Sequence, residues 1–189
     1  MTYSATTRTA RIFAIAFAMS VARIGLASDP TPRVFPPLQI FKEICVDAGW
    51  SLNDVVQLAE QRHLARVSQE DVPLPDGNSA HKLLWQAETD VGSVLIVVIA
   101  GENKAHIYRL TCSVTAPSQY SGLMQAWVSN SAGKPTATLT KPNNATEIHW
   151  ANTFDEGKIE FTLNTESPDD KHVMLSIAKQ IAMAGAKSK

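Results

Sequence analysis

Two cysteines are the residues of this sequence whose type and position predict a covalent bond. Cys45 and Cys112 form the only pair, and neither lies in a C-x-x-C motif or beside a histidine in a local signature of a catalytic thiol. In an oxidising compartment such a pair is expected to join. We therefore expect a Cys45–Cys112 disulfide, with a catalytic thiol at either position as the alternative.

Five histidines could supply acid–base chemistry or metal ligands, but their spacing indicates neither. No two of them are closer than 18 residues, so no His-x3-His pair is present to begin a zinc site. The glycines are dispersed, and the Gly-x-Ser-x-Gly, Ser-x-x-Lys and His-Glu-x-x-His signatures are missing. The sequence therefore predicts no catalytic residue, no metal site and no cofactor. A cleft that gathers His81, His106, His149 or Asp170 would instead favour a hydrolase.

Aromatic side chains are the candidates for a binding surface, because large rings give contact area at low entropic cost. Four tryptophans are present. We expect Trp127 in the core and Trp50 at a corner between two helices. The other two lie on predicted strands that could border a groove, together with two polar residues on outward strand faces. The predicted binding residues are Trp85, Trp150, His149 and Arg109.

Length and composition predict one ordinary globular domain. The chain has 189 residues, of which 44% are hydrophobic and 19% charged, close to the average for folded proteins. The formal net charge is -1, and a nucleic-acid partner would instead require a clustered basic surface. We therefore expect no nucleic-acid partner.

The first 27 residues have the composition of a secretory signal peptide. Arg8 and Arg11 precede an apolar segment at 12–21, and no acidic residue occurs. That segment is shorter than the roughly 20 residues a membrane-spanning helix needs. We expect cleavage after Ala27 or after Ala22, with a short N-terminal anchor as the alternative. The mature chain, with 14 basic against 18 acidic residues, is expected to be periplasmic or secreted and to have no stable membrane span.

The mature chain divides into a short linker and one domain. Residues 28–37 hold four prolines and predict an extended linker. We expect the folded domain over 38–181 and a frayed tail at 182–189.

Three stretches have the apolar periodicity of helices. They cover 38–48, 52–64 and 118–132. Ser51 is the expected N-cap of the second helix, with Asp54 in the N3 position of a capping box. In the third, Leu123, Met124 and Trp127 belong to one apolar stripe. Cys45 lies on the apolar side of the first helix.

Seven further stretches have the pattern of strands. They cover 82–89, 94–100, 105–115, 136–140, 146–152, 158–164 and 172–178. The continuous apolar run at 94–100 predicts a strand buried on both faces, whereas 68–80, with Pro73 and Pro75, predicts a loop. The short turns favour antiparallel pairing. The predicted fold class is therefore α+β, a mostly antiparallel sheet of six to seven strands with three helices packed on one face and one disulfide.

Several of these features occur together in one group of proteins. They are the N-terminal signal, the Phe41 to Cys45 spacing, a second helix after Gly49-Trp50, and a second cysteine in a central strand. With these features the chain resembles, over about 35–178, a loose group of small exported bacterial proteins without known activity. The resemblance implies a folded, disulfide-bridged envelope domain and assigns no catalytic residue.

From these residues we expect an exported, soluble binding protein of the cell envelope that is not a catalyst. A protein partner is the expected ligand, as for an immunity-type or accessory protein, and the acidic balance favours a basic partner. One alternative is a hydrolase whose residues converge only in the fold. The other is a carrier of a small apolar ligand, which would require a cavity between the helices and the sheet.

Overall fold

The computed structural model of this chain describes residues 36–89, 92–142, 145–154, 157–165 and 171–183. The chain divides into two units, Met1–Arg33 and Val34–Lys189, and the described residues belong to the second. The predicted signal peptide, most of the predicted linker, Asp170 and the last six residues lie outside the described residues.

Three helices are present in the described part of the chain. They are α1 (Pro36–Ile40), which continues as a π-helical turn over Phe41–Val46, α2 (Leu52–Gln61), and α3 (Ser121–Ala132), which follows a 3-10 turn at Ser118–Tyr120. α1 begins at Pro36, so the last two residues of the predicted linker are helical. Proline suits a first helical turn because its φ is already helical and its missing N–H would have no partner there.

Eight strands form one sheet in the described residues. They are β1 (Ala65–Pro73), β2 (Ser79–Thr89), β3 (Gly92–Glu102), β4 (Ile107–Pro117), β5 (Ala137–Thr140), β6 (Thr146–Phe154), β7 (Gly157–Thr165) and β8 (His172–Ala182). Their order is β1-β2-β3-β4-β8-β7-β6-β5, and every neighbouring pair is antiparallel. The predicted α+β class is confirmed, but the sheet has eight strands rather than six to seven.

The additional strand is β1, which begins directly after the predicted second helix and extends into the segment 68–80 that the sequence predicts as a loop. β1 pairs with β2 at the edge of the sheet, and its register shifts between Arg66 and Ser68. Most of its side chains are exposed, so its sequence lacks the apolar alternation of a half-buried strand. Charged side chains and Pro73 are typical of an edge strand, where they discourage pairing with another chain.

Burial alternates along the strands, so that one face of the sheet packs against the helices and the other does not. On β3, Val94, Ile96 and Val98 are fully buried, whereas Leu95 is 38% exposed. The expectation that this strand is buried on both faces was wrong, because continuous apolar sequence does not show whether a second layer exists. We call the face that carries Leu95, Val97 and Ile99 the open face.

α3 has a narrower buried side than its sequence predicted. Met124 and Val128 are fully buried, but Leu123 is 55% exposed. The helix packs against β6 and β7 near one edge of the sheet, so only a thin stripe of its surface meets the core. Trp127 is half-buried at the margin of that stripe.

The predicted disulfide is present. Cys45 in the π-helical turn is joined to Cys112 in β4, with a Cα–Cα distance of 5.4 Å. Both cysteines are buried, as expected from the side of the element on which each lies. The bridge fixes the first helical segment to the middle of the sheet.

The predicted capping box at the start of α2 is also present. The Ser51 hydroxyl accepts the Asp54 N–H at 3.2 Å, and the Asp54 carboxylate accepts the Ser51 N–H at 3.4 Å. The Leu52 N–H donates to the Tyr108 hydroxyl of β4 at 3.2 Å. Three of the N–H groups at this helix terminus therefore have partners, and one of these bonds ties the helix to the sheet.

Replacing Ser51 by alanine is expected to lower the free energy of unfolding by about 1 kcal/mol, because the Asp54 N–H loses its acceptor. Urea denaturation would measure the loss. Gln57→Ala, at an exposed position of the same helix, is the matched control and should leave stability unchanged or slightly raised. Equal stability of Ser51→Ala and the wild type would contradict a stabilising role for this cap.

Candidate binding cleft

A cavity of about 600 Å³ opens between the helical layer and the sheet. Its walls are the turn at 46–50, the side of α3 around Trp127, and the adjoining ends of β6, β7 and β8. The larger apolar side chains that line it are Val46, Trp50, Trp127, Ile159, Phe161 and Ile177. We call this cavity the aromatic cleft. Its size falls within the roughly 300–1,000 Å³ of small-molecule sites.

Aromatic contacts hold two walls of the aromatic cleft in place. Trp127 makes edge-to-face contacts with Phe41 and Phe161, at 5.9 and 6.2 Å between ring centroids. Trp50 makes a similar contact with Phe154 at 5.4 Å. Such aromatic pairs stabilise the fold by more than the burial of their surface area alone would. Both tryptophans are only half-buried, so each presents part of its ring to the cleft.

A buried lysine fixes the third wall. The Lys179 ammonium donates to the backbone carbonyls of Ala48 at 2.7 Å, Gly49 at 3.1 Å and Val46 at 3.2 Å. Burial lowers the pKa of Lys179, and the nearby carboxylates of Asp47 and Asp54 oppose this shift. An ammonium has three N–H donors, and all three are used by the turn. Lys179 therefore positions the 46–50 turn and has no donor left for a ligand.

Lys179 was not among the residues that the sequence singled out, although its position carries a signal. It lies two residues after Ile177 on β8 and shares the buried face of that strand. A lysine on the same strand face as core residues needs hydrogen-bond acceptors that compensate for the burial of its charge. The acceptors are carbonyls some 130 positions earlier in the chain, and no local pattern identifies them.

The sheet edge beside the aromatic cleft is only partly paired. β5 pairs with Thr146–His149 of β6, and the Thr136 N–H donates to the His149 carbonyl at 2.8 Å. Pro135, the residue before Thr136 in the chain, is the next one toward the free edge of the sheet. It has no N–H with which to continue the ladder. Because strand backbone groups alternate in direction, the N–H and C=O of Ala151 and Thr153 point outward, like those of His149. Within the described residues they have no backbone partner.

Two of the predicted binding residues lie in the core. Trp85 is 1% exposed and Trp150 is fully buried, so neither ring presents a surface to a ligand. The Trp150 Nε1–H also has no hydrogen-bond partner within the described residues. The alternation along each strand correctly separated its two sides, but it could not show which side the helices cover. The tryptophans that line the cleft are Trp50 and Trp127.

The other two predicted binding residues lie on the open face and are separated from the aromatic cleft by the sheet. Arg109 is exposed on β4. His149 is half-buried, with its Nε2 at 2.8 Å from Glu147 Oε1 and its Nδ1 at 3.4 Å from the Thr162 hydroxyl. The Lys141 ammonium, and then His149, lower the pKa of Glu147.

The hydroxyl, imidazole and carboxylate around His149 have the order of a nucleophilic triad. Acyl transfer also needs free N–H donors for the oxyanion. Thr162 lies in the middle of β7, paired with β6 on one side and β8 on the other, so its neighbouring backbone N–H groups already have ladder partners. His81 and His106 make separate exposed pairs with Asp71 and Glu102. The described residues therefore form no cleft that gathers the histidines.

Among the described residues, no group of three or more His, Cys, Asp or Glu side chains could hold a metal ion. No helix there combines the length and the apolar character that crossing a membrane requires.

Comparison with protein-family models, with curated proteins and with solved structures gave no match for this chain. The aromatic cleft and the sheet edge beside it are therefore the features that bear on its function.

Proposed function

We propose that this chain is an exported, non-catalytic binding protein of the cell envelope that captures an extended segment of a protein partner. The segment would add as a strand to the free edge of β6 and place apolar side chains in the aromatic cleft. The observation that carries this proposal is that the backbone of Ala151 and Thr153, directly beside an aromatic cavity, has no backbone partner among the residues that the structure describes.

The geometry of β6 suits strand addition. Asn152 lines the cleft and Phe154 contacts Trp50, so the cleft-facing side chains alternate with the outward backbone groups of Ala151 and Thr153. An added strand has the same alternation. Its backbone would hydrogen-bond to Ala151 and Thr153, and every second side chain would face the cleft. The backbone hydrogen bonds would therefore supply the affinity, and the cavity would supply the specificity.

Export is proposed on two observations. The N-terminal sequence has the composition of a signal peptide, and the described domain contains a disulfide, which persists mainly in oxidising compartments. We therefore place the mature protein in the periplasm or outside the cell.

A displayed library of random peptides, selected on the mature protein, would test the proposal. Ala151→Pro removes an outward N–H without touching the β6–β7 ladder, and Trp50→Ala opens the cleft wall. Each variant is expected to weaken binding of the selected peptides about fivefold or more, because each removes an interaction of roughly 1–3 kcal/mol.

Matched controls separate these effects from general damage. Ala151→Ser keeps the N–H, and Leu123→Ala removes an exposed apolar side chain of α3 outside the cleft. Both should bind the selected peptides as tightly as the wild type. Failure to enrich any peptide, or enriched peptides that bind Ala151→Pro and Trp50→Ala at full strength, would overturn the proposal.

A second candidate function, carriage of a small apolar ligand, is favoured by the existence of the cavity itself. Such a ligand would use the aromatic walls but not the strand edge. Binding of an apolar fluorescent dye that is lost in Trp50→Ala and unchanged in Ala151→Pro, without any peptide binding, would identify the carrier. Peptide binding that both variants weaken would identify strand addition.

A further inference from the structure

A second cavity, of about 350 Å³, lies on the open face of the sheet. Its floor is the cross-strand pair Ala80–Gly101 of β2 and β3. A Cβ on Gly101 would come within 2.8 Å of the Ala80 Cβ, so this close pairing requires glycine. These two small residues form the floor of a hollow between larger apolar groups. Those groups are Leu74, Pro75, Ile99 and Ile107, and we call the hollow the loop pocket.

The outer wall of the loop pocket is the connection between β1 and β2, and hydrogen bonds hold it in place. The Asp76 carboxylate accepts the backbone N–H of Lys104 at 2.7 Å and that of Asn78 at 3.0 Å. These two bonds lower the pKa of Asp76. The Asn78 side-chain amide donates to the Glu102 carbonyl at 3.0 Å. The pocket is therefore preformed, which reduces the entropy lost on binding.

Arg109 is a cation beside this apolar hollow for which the described residues supply no ion-pair partner. Arg109 lines the loop pocket and is exposed. On other strands of the same face, Lys82 pairs with Glu70 and Lys158 with Glu160, each at 2.6 Å. Within the described residues no carboxylate lies within ion-pair distance of the Arg109 guanidinium. The one acidic residue of the lining, Asp76, already accepts two backbone N–H groups.

We infer that the loop pocket binds a small apolar carboxylate, with the carboxylate on Arg109 and the hydrocarbon part between Ile99 and Ile107. A guanidinium holds a carboxylate through two parallel N–H bonds. The apolar walls favour a hydrocarbon chain over a fully hydrated anion. This site lies on the opposite face of the sheet from the aromatic cleft and does not depend on the function proposed for that cleft.

Titration of the mature protein with decanoate, followed by NMR of the backbone amides, tests this inference. Saturable shifts are expected at Ile99, Ile107 and Thr111, and not at Ile159 or Phe161 of the aromatic cleft. Decanol, which has the chain without the charge, and acetate, which has the charge without the chain, should each bind about tenfold more weakly or worse.

Two variants separate recognition of the carboxylate from general attraction by positive charge. Arg109→Gln should weaken the binding of decanoate about tenfold or more, because a charge-assisted pair with the carboxylate is lost. The weak binding of decanol should be unchanged. Lys158→Gln removes another cation of the same face, outside the pocket lining, and should leave decanoate binding as in the wild type. The inference is overturned if decanoate causes no saturable shifts, if the shifts occur in the aromatic cleft, or if Arg109→Gln binds decanoate as well as the wild type.

Discussion

Replacing both Cys45 and Cys112 by alanine is expected to lower the free energy of unfolding by about 4 kcal/mol. The bridge spans 67 positions of sequence, and opening so long a loop returns much conformational entropy to the unfolded chain. Domains of this size have total stabilities of roughly 5–15 kcal/mol, so the variant would lose a large share. Guanidinium denaturation of the oxidised protein and the variant measures the difference.

A neighbouring substitution controls for disturbance of the same strand. Ser113→Ala changes the next residue of β4, on the open face, where the serine hydroxyl bonds to that of Ser176 at 2.8 Å. This substitution should lower the free energy of unfolding by about 1 kcal/mol. Unreduced protein should also be two hydrogen atoms lighter in mass than reduced protein. Two free thiols in the unreduced chain, or equal stability of the alanine variant, would contradict the bridge.

Replacing Lys179 by methionine is expected to lower the free energy of unfolding by about 3 kcal/mol. Three carbonyls of the 46–50 turn lose their donor, and each buried acceptor without a partner costs about 1–3 kcal/mol. Removal of a buried charge offsets part of that cost. Lys158→Met, at a partly exposed position of β7, is the matched control and should change stability by less than about 0.5 kcal/mol.

The same lysine gives the wild type a distinct pH dependence. Burial lowers the pKa of Lys179 in the folded state, so between that pKa and the ordinary lysine value the unfolded chain binds more protons. The contribution of Lys179 to stability should therefore rise with pH through this alkaline window. The rise should be absent in Lys179→Met and kept in Lys158→Met. Parallel pH profiles for the wild type and Lys179→Met would show that Lys179 titrates normally.

The aromatic cleft could not be predicted from the sequence, although most of the elements around it could. The sequence predicts Trp50 at a corner between two helices and Trp127 in the core, whereas both are half-buried and line the cleft. What makes them a site is the space left between α3 and the turn that Lys179 holds. That space depends on the packing of segments far apart in the chain, whereas periodicity reports only which residues of one segment face the same way.

The antiparallel character of the sheet, the capping box of α2 and the cysteines that join can all be predicted from sequence, because each follows from a short pattern or from an unambiguous pair. Packing between distant segments, by contrast, makes β1 a strand and leaves the open face of β3 uncovered. It also encloses Trp85 and Trp150, while Trp50 and Trp127 border a cleft. These outcomes depend on which layer meets which face. That choice is set by contacts between residues distant in sequence, and local periodicity leaves it undetermined.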